Sequence, residues 1–195
     1  EKIKDSIIDF VHEIQPDVLC MQEFYKDTSR AFNTEEDFME LEHFKHKYVD
    51  YFQIKYGIYH FGLAIFSKYP IIESGSIKMD KSKVNGNYVI WSDIVTSNDT
   101  VRIYNAHLQS IKFAAGDEEL FVSQTSLTQD DFKEQSGNLL RKLKSAFISR
   151  AKQVRFIREE LDKSPHPYFI CGDFNDTPVS YAYRIMRGTL NAAFL

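Results

Sequence analysis

Apolar residues along this chain recur first with the spacing of a helix and then in short runs typical of strands. Isoleucine or valine returns every three to four positions between residues 3 and 14, so residues 2–14 are predicted to form an amphipathic helix packed on a sheet through that stripe. Pro16 cannot continue the helical hydrogen bonds. The apolar run at residues 18–21 then predicts a strand.

The middle of the chain is predicted to consist mainly of strands. A short helix is expected near residues 34–42, within a charged and aromatic loop. Turn signals at Asn85-Gly86 and near Asn98 separate the last three strands, which are predicted to form an antiparallel meander in one sheet of a two-sheet sandwich. The predicted strands of this region cover residues 47–55, 59–70, 71–79, 88–96 and 100–108.

The last third of the chain changes character. Residues 109–137 are polar and lack periodicity, so they are predicted to form either a lid over a substrate or an inert insertion. Apolar positions between 139 and 161 predict one long helix whose other face is basic; this face is either solvated or binds nucleic acid. A strand at residues 168–172 and a helix at residues 179–186, closed by Gly188, are expected to follow.

Composition limits the class of protein. A chain of 195 residues with 43% hydrophobic residues can bury a core, and residues 1–195 are predicted to form a single domain. The net charge of −4 does not favour tight nonspecific binding to DNA, although acidic residues that hold a cation also make a domain acidic. Cys20 and Cys171 lie in predicted strands and are expected to be buried thiols rather than a disulfide. No apolar run reaches the roughly 20 residues that span a bilayer.

Three predicted strands end in side chains suited to metal or phosphoryl chemistry. One leads into Glu23, one carries His107, and one runs through Gly172 into Asp173 and Asn175. Carboxylate and amide oxygens suit a hard cation such as Mg²⁺. Asn and Asp also cluster in turns, so the last stretch alone is equally consistent with a turn. Three strand ends of this kind together favour a functional site.

The motifs at these strand ends resemble those of a known superfamily. Leu-Cys-Met-Gln-Glu (19–23), Ala-His-Leu-Gln-Ser (106–110) and Cys-Gly-Asp-Phe-Asn (171–175) are similar to motifs of the endonuclease/exonuclease/phosphatase superfamily, the deoxyribonuclease I-like metal-dependent phosphoesterases. The similarity covers essentially the whole chain in the order the superfamily uses. It implies an α+β fold, a four-layer α/β/β/α sandwich of two mostly antiparallel sheets flanked by helices.

The resemblance also implies a role for each residue of the motifs. Glu23 matches the glutamate that holds the catalytic Mg²⁺, with Mn²⁺ as the alternative metal. Asp173 matches the aspartate that orients or activates the hydrolytic water or assists the leaving group. Asn175 matches the asparagine that hydrogen-bonds the scissile phosphate, and His107 matches a histidine that contacts the phosphate and is a candidate acid. Three further candidates for substrate contact are Gln109, Ser110 and Arg30.

The function expected from these residues is Mg²⁺-dependent hydrolysis of a phosphate ester by metal-assisted attack of water, in a phosphodiesterase or a phosphatase. One alternative within the superfamily is a DNA-repair nuclease or DNA-end phosphodiesterase, which would make nucleic acid the partner. An alternative from another class is a catalytically inactive relative that acts as a binding module. The presence of Glu23, His107, Asp173 and Asn175 together argues against this last alternative. The sequence predicts neither the substrate nor the oligomeric state.

Some motifs of the superfamily have no match in this sequence. Members usually begin with a strand that ends in a metal-holding asparagine, and they end with strands that carry an aspartate and a Ser-Asp-His motif. The chain is therefore expected to be a fragment, incomplete at both ends, that on its own hydrolyses phosphate esters poorly or not at all. Targeting segments are expected to lie outside it, with a cytoplasmic location as the default expectation.

Overall fold

The computed structural model describes residues 2–28, 33–79, 86–111 and 129–193. Arg30, Asn85 and most of the segment 109–137 lie outside these ranges, so the predictions made for them are not addressed by the structure. The helices of the described residues are α1 (Lys2–Ile14), α2 (Thr34–Glu40), α3 (Gln129–Leu161) and α4 (Tyr181–Arg187). The strands are β1 (Val18–Asp27), β2 (His46–Lys55), β3 (Tyr59–Ser67), β4 (Ile71–Lys78), β5 (Tyr88–Val95), β6 (Thr100–His107) and β7 (Tyr168–Asp173).

The strands form two sheets within one compact unit, which comprises residues 1–107 and 159–173. The first sheet has the order β1-β3-β2 and is antiparallel; the second has the order β4-β5-β6-β7. Strands β4, β5 and β6 form the predicted antiparallel meander, whereas β7 pairs with β6 in parallel. A parallel neighbour requires a long crossover connection, and the chain between β6 and β7 includes the long helix α3. The predicted fold class, an α/β sandwich of two mostly antiparallel sheets with helices, is confirmed.

The first sheet is covered on both faces. Leu63 and Ile65 of β3 pack with Tyr88 and Ile90 of β5, and these four residues fill the space between the two sheets. The residues that alternate with them on β3, Ala64 and Phe66, point the other way, as the two-residue repeat of a strand requires. They pack with buried residues that include Val11 of α1 and Phe38 of α2. A buried sheet between two apolar clusters gives β1 and β3 a rigid place in the fold.

Helix α1 has the predicted bounds, and its predicted apolar stripe is buried in part. Val11 of the predicted stripe is buried, whereas Ile7 and Ile14 are exposed and Ile8 packs inward beside Val11. Lys4 lies on the same side of the helix as Ile8, and its Nζ atom is 2.7 Å from Asp37 Oδ2 in α2. The buried face is therefore rotated slightly from the one that the spacing of isoleucine and valine indicated.

The second compact unit comprises residues 108–158 and 174–195. Helix α3 begins at Gln129, about ten residues before the start that apolar periodicity predicted. The buried Arg150 donates from Nε to Asp176 Oδ2 (3.1 Å) and from Nη1 to Gln109 O (2.8 Å), which ties α3 to the segments on either side of it in sequence. Ser180 caps the start of α4, and Gly188 ends it as predicted. No helix among the described residues is long and apolar enough to cross a membrane.

The two cysteines are free, as predicted. Cys171 nevertheless is exposed rather than buried, because β7 is the outermost strand of the second sheet. The thiols of Cys20 and Cys171 form a hydrogen bond, and this bond, more than burial, raises the pKa of Cys20 well above its ordinary value while it lowers that of Cys171. The contact joins β1 to β7 shortly before Glu23 in the first strand and Asp173 in the second.

We expect Gly172→Ala to destabilise the fold by roughly 2–4 kcal/mol. Gly172 has φ +142°, a conformation that other residues rarely adopt, and a Cβ atom there would overlap the carbonyl oxygen of Ala106 on β6. The free energy of unfolding, measured with a chemical denaturant, tests this. The matched control is Gly137→Ala in α3, where a Cβ atom meets nothing within 4 Å; it should leave stability unchanged or raise it by about 0.5–1 kcal/mol. Equal effects of the two substitutions would contradict the close approach of β6 and β7.

Candidate active site

Glu23 lies on a bulge in the edge strand β1. Met21 pairs with Ala64 and Phe24 pairs with Gly62, so two residues of β1 oppose one residue of β3. Glu23 has φ +51°, and its side chain is 81% exposed. A bulge interrupts the ladder and re-aims the side chain of the extra residue. The strand was predicted to end at Glu23, but it resumes after the bulge and continues to Asp27.

His107 and Asp173 are register partners on the neighbouring parallel strands β6 and β7. His107 is buried at the end of its strand, whereas the Asp173 side chain is half-exposed. The Nε2 atom of His107 lies 3.9 Å from Glu23 Oε1 and 4.0 Å from Asp173 Oδ2. The structure therefore brings three of the predicted residues together: two carboxylates from different sheets lie at about equal distance from the same imidazole nitrogen.

These distances are longer than direct hydrogen bonds. A gap of this size between polar groups is the distance at which a water molecule or a substrate oxygen bridges them. A protonated His107 would carry a positive charge toward such an oxygen, and a neutral one would accept a proton through it. Two carboxylates near the imidazole would repel a further negatively charged group unless a cation offset their charge.

The chemistry of the donors decides which cation fits. Within the ranges that the structure describes, no group of three His, Cys, Asp or Glu residues is placed to hold a metal ion. Zn²⁺ sites in proteins usually have three or four ligands, drawn from His, Cys and carboxylate groups. Mg²⁺ takes oxygen ligands, keeps several of its waters and is commonly held by one or two carboxylates. The solvent-facing carboxylates of Glu23 and Asp173 fit this second pattern.

A buried amide beneath the bulge was missed by the sequence analysis. Asn105, which is fully buried on β6, donates from Nδ2 to Met21 O (2.9 Å) and to Ala64 O (3.0 Å) in the first sheet. Its Oδ1 accepts from Gln22 Nε2 at 2.6 Å. Asn105 therefore crosslinks the two sheets at the bulge that carries Glu23. Its position two residues before His107, on the same face of β6, was the signal in the sequence.

The other predicted residues belong to the second compact unit or lie outside the described residues. Asn175, with φ +52°, donates from Nδ2 to Leu108 O at 3.0 Å. Gln109 donates from Nε2 to the carbonyl oxygen of its neighbour Ser110 (3.0 Å) and accepts a hydrogen bond from Arg150 at its own carbonyl oxygen. These bonds shape the loops that carry the three residues. Their role as substrate contacts stays a prediction, as does that of Arg30.

The two packed sheets, with helices around them, define the fold as an α/β sandwich, and a histidine and two carboxylates lie close together at its strand ends. A sequence model of the endonuclease/exonuclease/phosphatase family matches residues 4–193, and the chain belongs to this family. Members of this superfamily are hydrolytic phosphoesterases, and they generally depend on a divalent metal. Comparison with curated protein sequences gave no match.

Three solved structures with the same fold come from different organisms. Sphingomyelinase C from Streptomyces griseocarneus has a TM-score of 0.62 and 17% identity, over 96% of this chain and 61% of that one. A β-hairpin deletion mutant of β toxin from Staphylococcus aureus has a TM-score of 0.59 and 17% identity, over 96% and 65%. The human Nocturnin catalytic domain with bound sulfate has a TM-score of 0.58 and 15% identity, over 97% and 63%. The chain spans less than two thirds of each of these structures, and identities this low show the fold alone.

We expect Asn105→Ala to lower the free energy of unfolding by roughly 2–4 kcal/mol, because it removes one buried and two partly buried hydrogen bonds, to the carbonyl oxygens of Ala64 and Met21 and from the Gln22 amide. Chemical denaturation measures the effect. Asn98→Ala, in an exposed turn, is the matched control and should change stability by no more than about 0.5 kcal/mol. A similarly small change at Asn105 would mean that the amide does not hold the sheets together.

Proposed function

We propose that this protein hydrolyses a phosphate ester bond with the help of Mg²⁺, as a phosphodiesterase or a phosphatase, and that Mn²⁺ can replace Mg²⁺. The observation that supports the proposal is the position of His107 Nε2, 3.9 Å from Glu23 Oε1 and 4.0 Å from Asp173 Oδ2. Cleavage of a phosphate ester requires that the negative charge on the phosphoryl oxygens is offset and that a water molecule is aligned for attack. The three side chains supply the groups that these two tasks need.

Glu23 is the proposed ligand of the metal ion, which would supply the positive charge that offsets the charge on the phosphoryl oxygens. The bulge suits this role, because it presents the carboxylate to solvent, where a cation that keeps most of its waters can be bound. A bulge with a left-handed glutamate costs free energy in the fold, and local strain of this kind is common at functional sites.

Asp173 and His107 are the proposed groups for proton transfer and positioning. Asp173 would orient and activate the attacking water, since its half-exposed carboxylate has access to solvent on the side where the metal would bind. His107 would contact the phosphate and act as an acid, and its burial fixes the ring close to the two carboxylates. The Asn175 amide would hydrogen-bond the phosphate; this last role rests on the motif alone.

Glu23→Gln is expected to weaken metal binding near His107. Mn²⁺ added to the protein should broaden the imidazole proton signals of His107 in an NMR spectrum, because a paramagnetic ion held by Glu23 would lie within several ångströms of the ring. Mg²⁺ should compete and restore the signals. In Glu23→Gln the broadening should require at least about tenfold more Mn²⁺, since the substitution removes the charge of the main ligand.

The matched control for this experiment is Glu73→Gln, which removes the same charge from an exposed position on β4. It should leave the Mn²⁺ titration of His107 unchanged. Equal shifts of the titration in Glu23→Gln and Glu73→Gln would remove Glu23 from the proposed site. The readout does not require hydrolysis, so it tests the metal site separately from the reaction.

His107→Ala is expected to lower the rate of hydrolysis of bis(p-nitrophenyl) phosphate by about 10²–10⁴-fold in an active preparation of the protein, because the substitution removes the proposed acid. His12→Ala, at an exposed position near the end of α1, is the control and should keep the full rate. A loss of less than about tenfold in His107→Ala would exclude a part for the imidazole in proton transfer.

A further inference from the structure

The hairpin between β2 and β3 ends in an unusually apolar turn. Ile58 N donates to Lys55 O at 3.0 Å, which closes a loop with two central residues, Tyr56 and Gly57. Both have positive φ, +55° and +68°, as a type I′ turn requires. Asn or Gly is the usual residue at the first of these positions, and a bulky side chain there costs free energy. The chain nevertheless places a tyrosine at the most projecting point of the hairpin.

The side chains around this turn are exposed. The tip of the hairpin, which we define as Ile54, Tyr56, Ile58 and Tyr59, includes Tyr56 at 88% exposure and Ile54 at 56%. Ile54 and Tyr59 belong to adjacent register pairs and therefore lie on opposite faces of the hairpin. With Tyr56 and Ile58 at the turn, the four partly exposed side chains surround the end of the hairpin with on the order of 400 Å² of mostly apolar surface. Exposed apolar patches of this size on a soluble surface commonly mark interaction sites.

Aromatic packing braces the tip against the edge strand β1. Tyr59 stacks on Tyr25 with ring centroids 6.5 Å apart, and Tyr56 meets Tyr59 edge-on at 6.4 Å. Tyr25 in turn contacts Phe61 at 5.2 Å. The rings of the tip therefore have a fixed base, and a partner that binds them need not order a flexible loop first.

We propose that the tip binds to the surface of a zwitterionic lipid bilayer, with its apolar side chains in the headgroup region. Tyrosine combines an apolar ring with a polar hydroxyl and is enriched at the interface between lipid and water. Ile54 and Ile58 add branched aliphatic surface, which can enter an acyl-chain boundary but has no π face on which a nucleobase could stack. This proposal goes beyond the proposed function and does not depend on it.

The charge around the tip favours a zwitterionic bilayer over a polyanion as the partner. Lys55 is the only charged residue between positions 54 and 59, and its ammonium group lies over the ring of Phe61, 5.5 Å from the centroid. On the neighbouring strand β1, Asp27 is buried and Lys26 pairs with glutamates of α2, so β1 adds no basic cluster to the tip. The whole chain has a net charge of −4. A nucleic acid or a strongly anionic membrane would require a cluster of basic residues, whereas a zwitterionic surface requires none.

The shape and size of the tip favour a lipid surface over a protein as its partner. A two-residue turn is convex and offers no groove for a helix or an extended peptide. Its area is well below the roughly 800 Å² that each partner contributes to a stable protein–protein interface, so a second copy of the chain would not be held by the tip alone. Insertion into lipid needs no complementary pocket, because the bilayer deforms around the inserted side chains.

The tip also lies near the candidate active site. Tyr59 pairs with Asp27 of β1, and Glu23 lies four residues earlier on that strand, which corresponds to about 13 Å along its axis. Docking through the tip would therefore hold the carboxylate of Glu23 close to the lipid surface.

The test is sedimentation of the full chain with phosphatidylcholine vesicles. The wild-type chain should bind, and its binding should not weaken as the salt concentration rises. Tyr56→Asn should lower the partition coefficient at least about tenfold, since it removes the ring; asparagine keeps the turn because it adopts positive φ readily. Tyr56→Trp should still bind and show a blue-shifted fluorescence difference spectrum relative to wild type when vesicles are added.

A pair of matched isoleucines supplies the control. Ile54 on β2 and Ile72 on β4 are 56% and 61% exposed, and each lies on an edge strand. Ile54→Ser should weaken vesicle binding several-fold, and Ile72→Ser should leave it unchanged. Equal losses in the two variants, or no vesicle binding by the wild type, would overturn the proposal. It would also be overturned if Tyr56→Asn instead abolished binding to single-stranded DNA or self-association of the chain.

Discussion

The geometry of the candidate site depends on one buried amide. Asn105 on β6 satisfies two carbonyl oxygens of the first sheet and the side chain of Gln22 at the point where the ladder of β1 is interrupted. A bulge leaves backbone groups without ladder partners, and inside a sandwich these groups are costly unless another donor reaches them. The hydrogen bonds of the Asn105 amide therefore stabilise the bulge, and the bulge exposes the Glu23 carboxylate to solvent. Because Asn105 and His107 lie on the same face of one strand, the same residue also fixes the separation of Glu23 from the imidazole.

Much of the fold follows from local patterns in the sequence. Every predicted strand is present, β1 being extended past its bulge, and the bounds of α1 are those that the apolar spacing indicated. The buried face of α1 was predicted only in part: Val11 is buried, but Ile7 and Ile14 are exposed, and the contacts of the helix with α2, such as Lys4 with Asp37, join residues far apart in the chain. The early start of α3 was also missed. Its first turns lack an apolar repeat, so only the rest of the folded chain defines where the helix begins.

The candidate site also has features that the sequence predicts and features that it does not. Glu23, His107 and Asp173 could be chosen as candidates from the sequence because each lies at the end of an apolar run, and side chains leave the core at strand ends. The sequence did not predict the bulge, the role of Asn105 or the register of His107 with Asp173. Each of these depends on pairing between segments that are far apart in the chain. Gly172 was predicted only in part. The sequence places it at a strand end, but the close approach of Ala106, which explains why glycine is needed there, is seen only in the structure.

Backbone strain links the two proposed functions. Five residues other than glycine have positive φ among the described parts of the chain: Gln15, Glu23, Glu42, Tyr56 and Asn175. Gln15 and Glu42 come just after helices, where a left-handed residue is an ordinary way to end the helix, and Gln15 N donates to Val11 O as such an ending requires.

Helix termination does not explain the other three. Glu23 lies at the bulge, Tyr56 at the hairpin turn and Asn175 in the loop after β7. Glycine or asparagine would relieve the strain at Glu23 and Tyr56, but neither residue would supply a carboxylate for a metal ion or a ring for a lipid surface. At these two positions, the side chain that local structure prefers and the side chain that is present differ, and the proposed chemistry accounts for the difference.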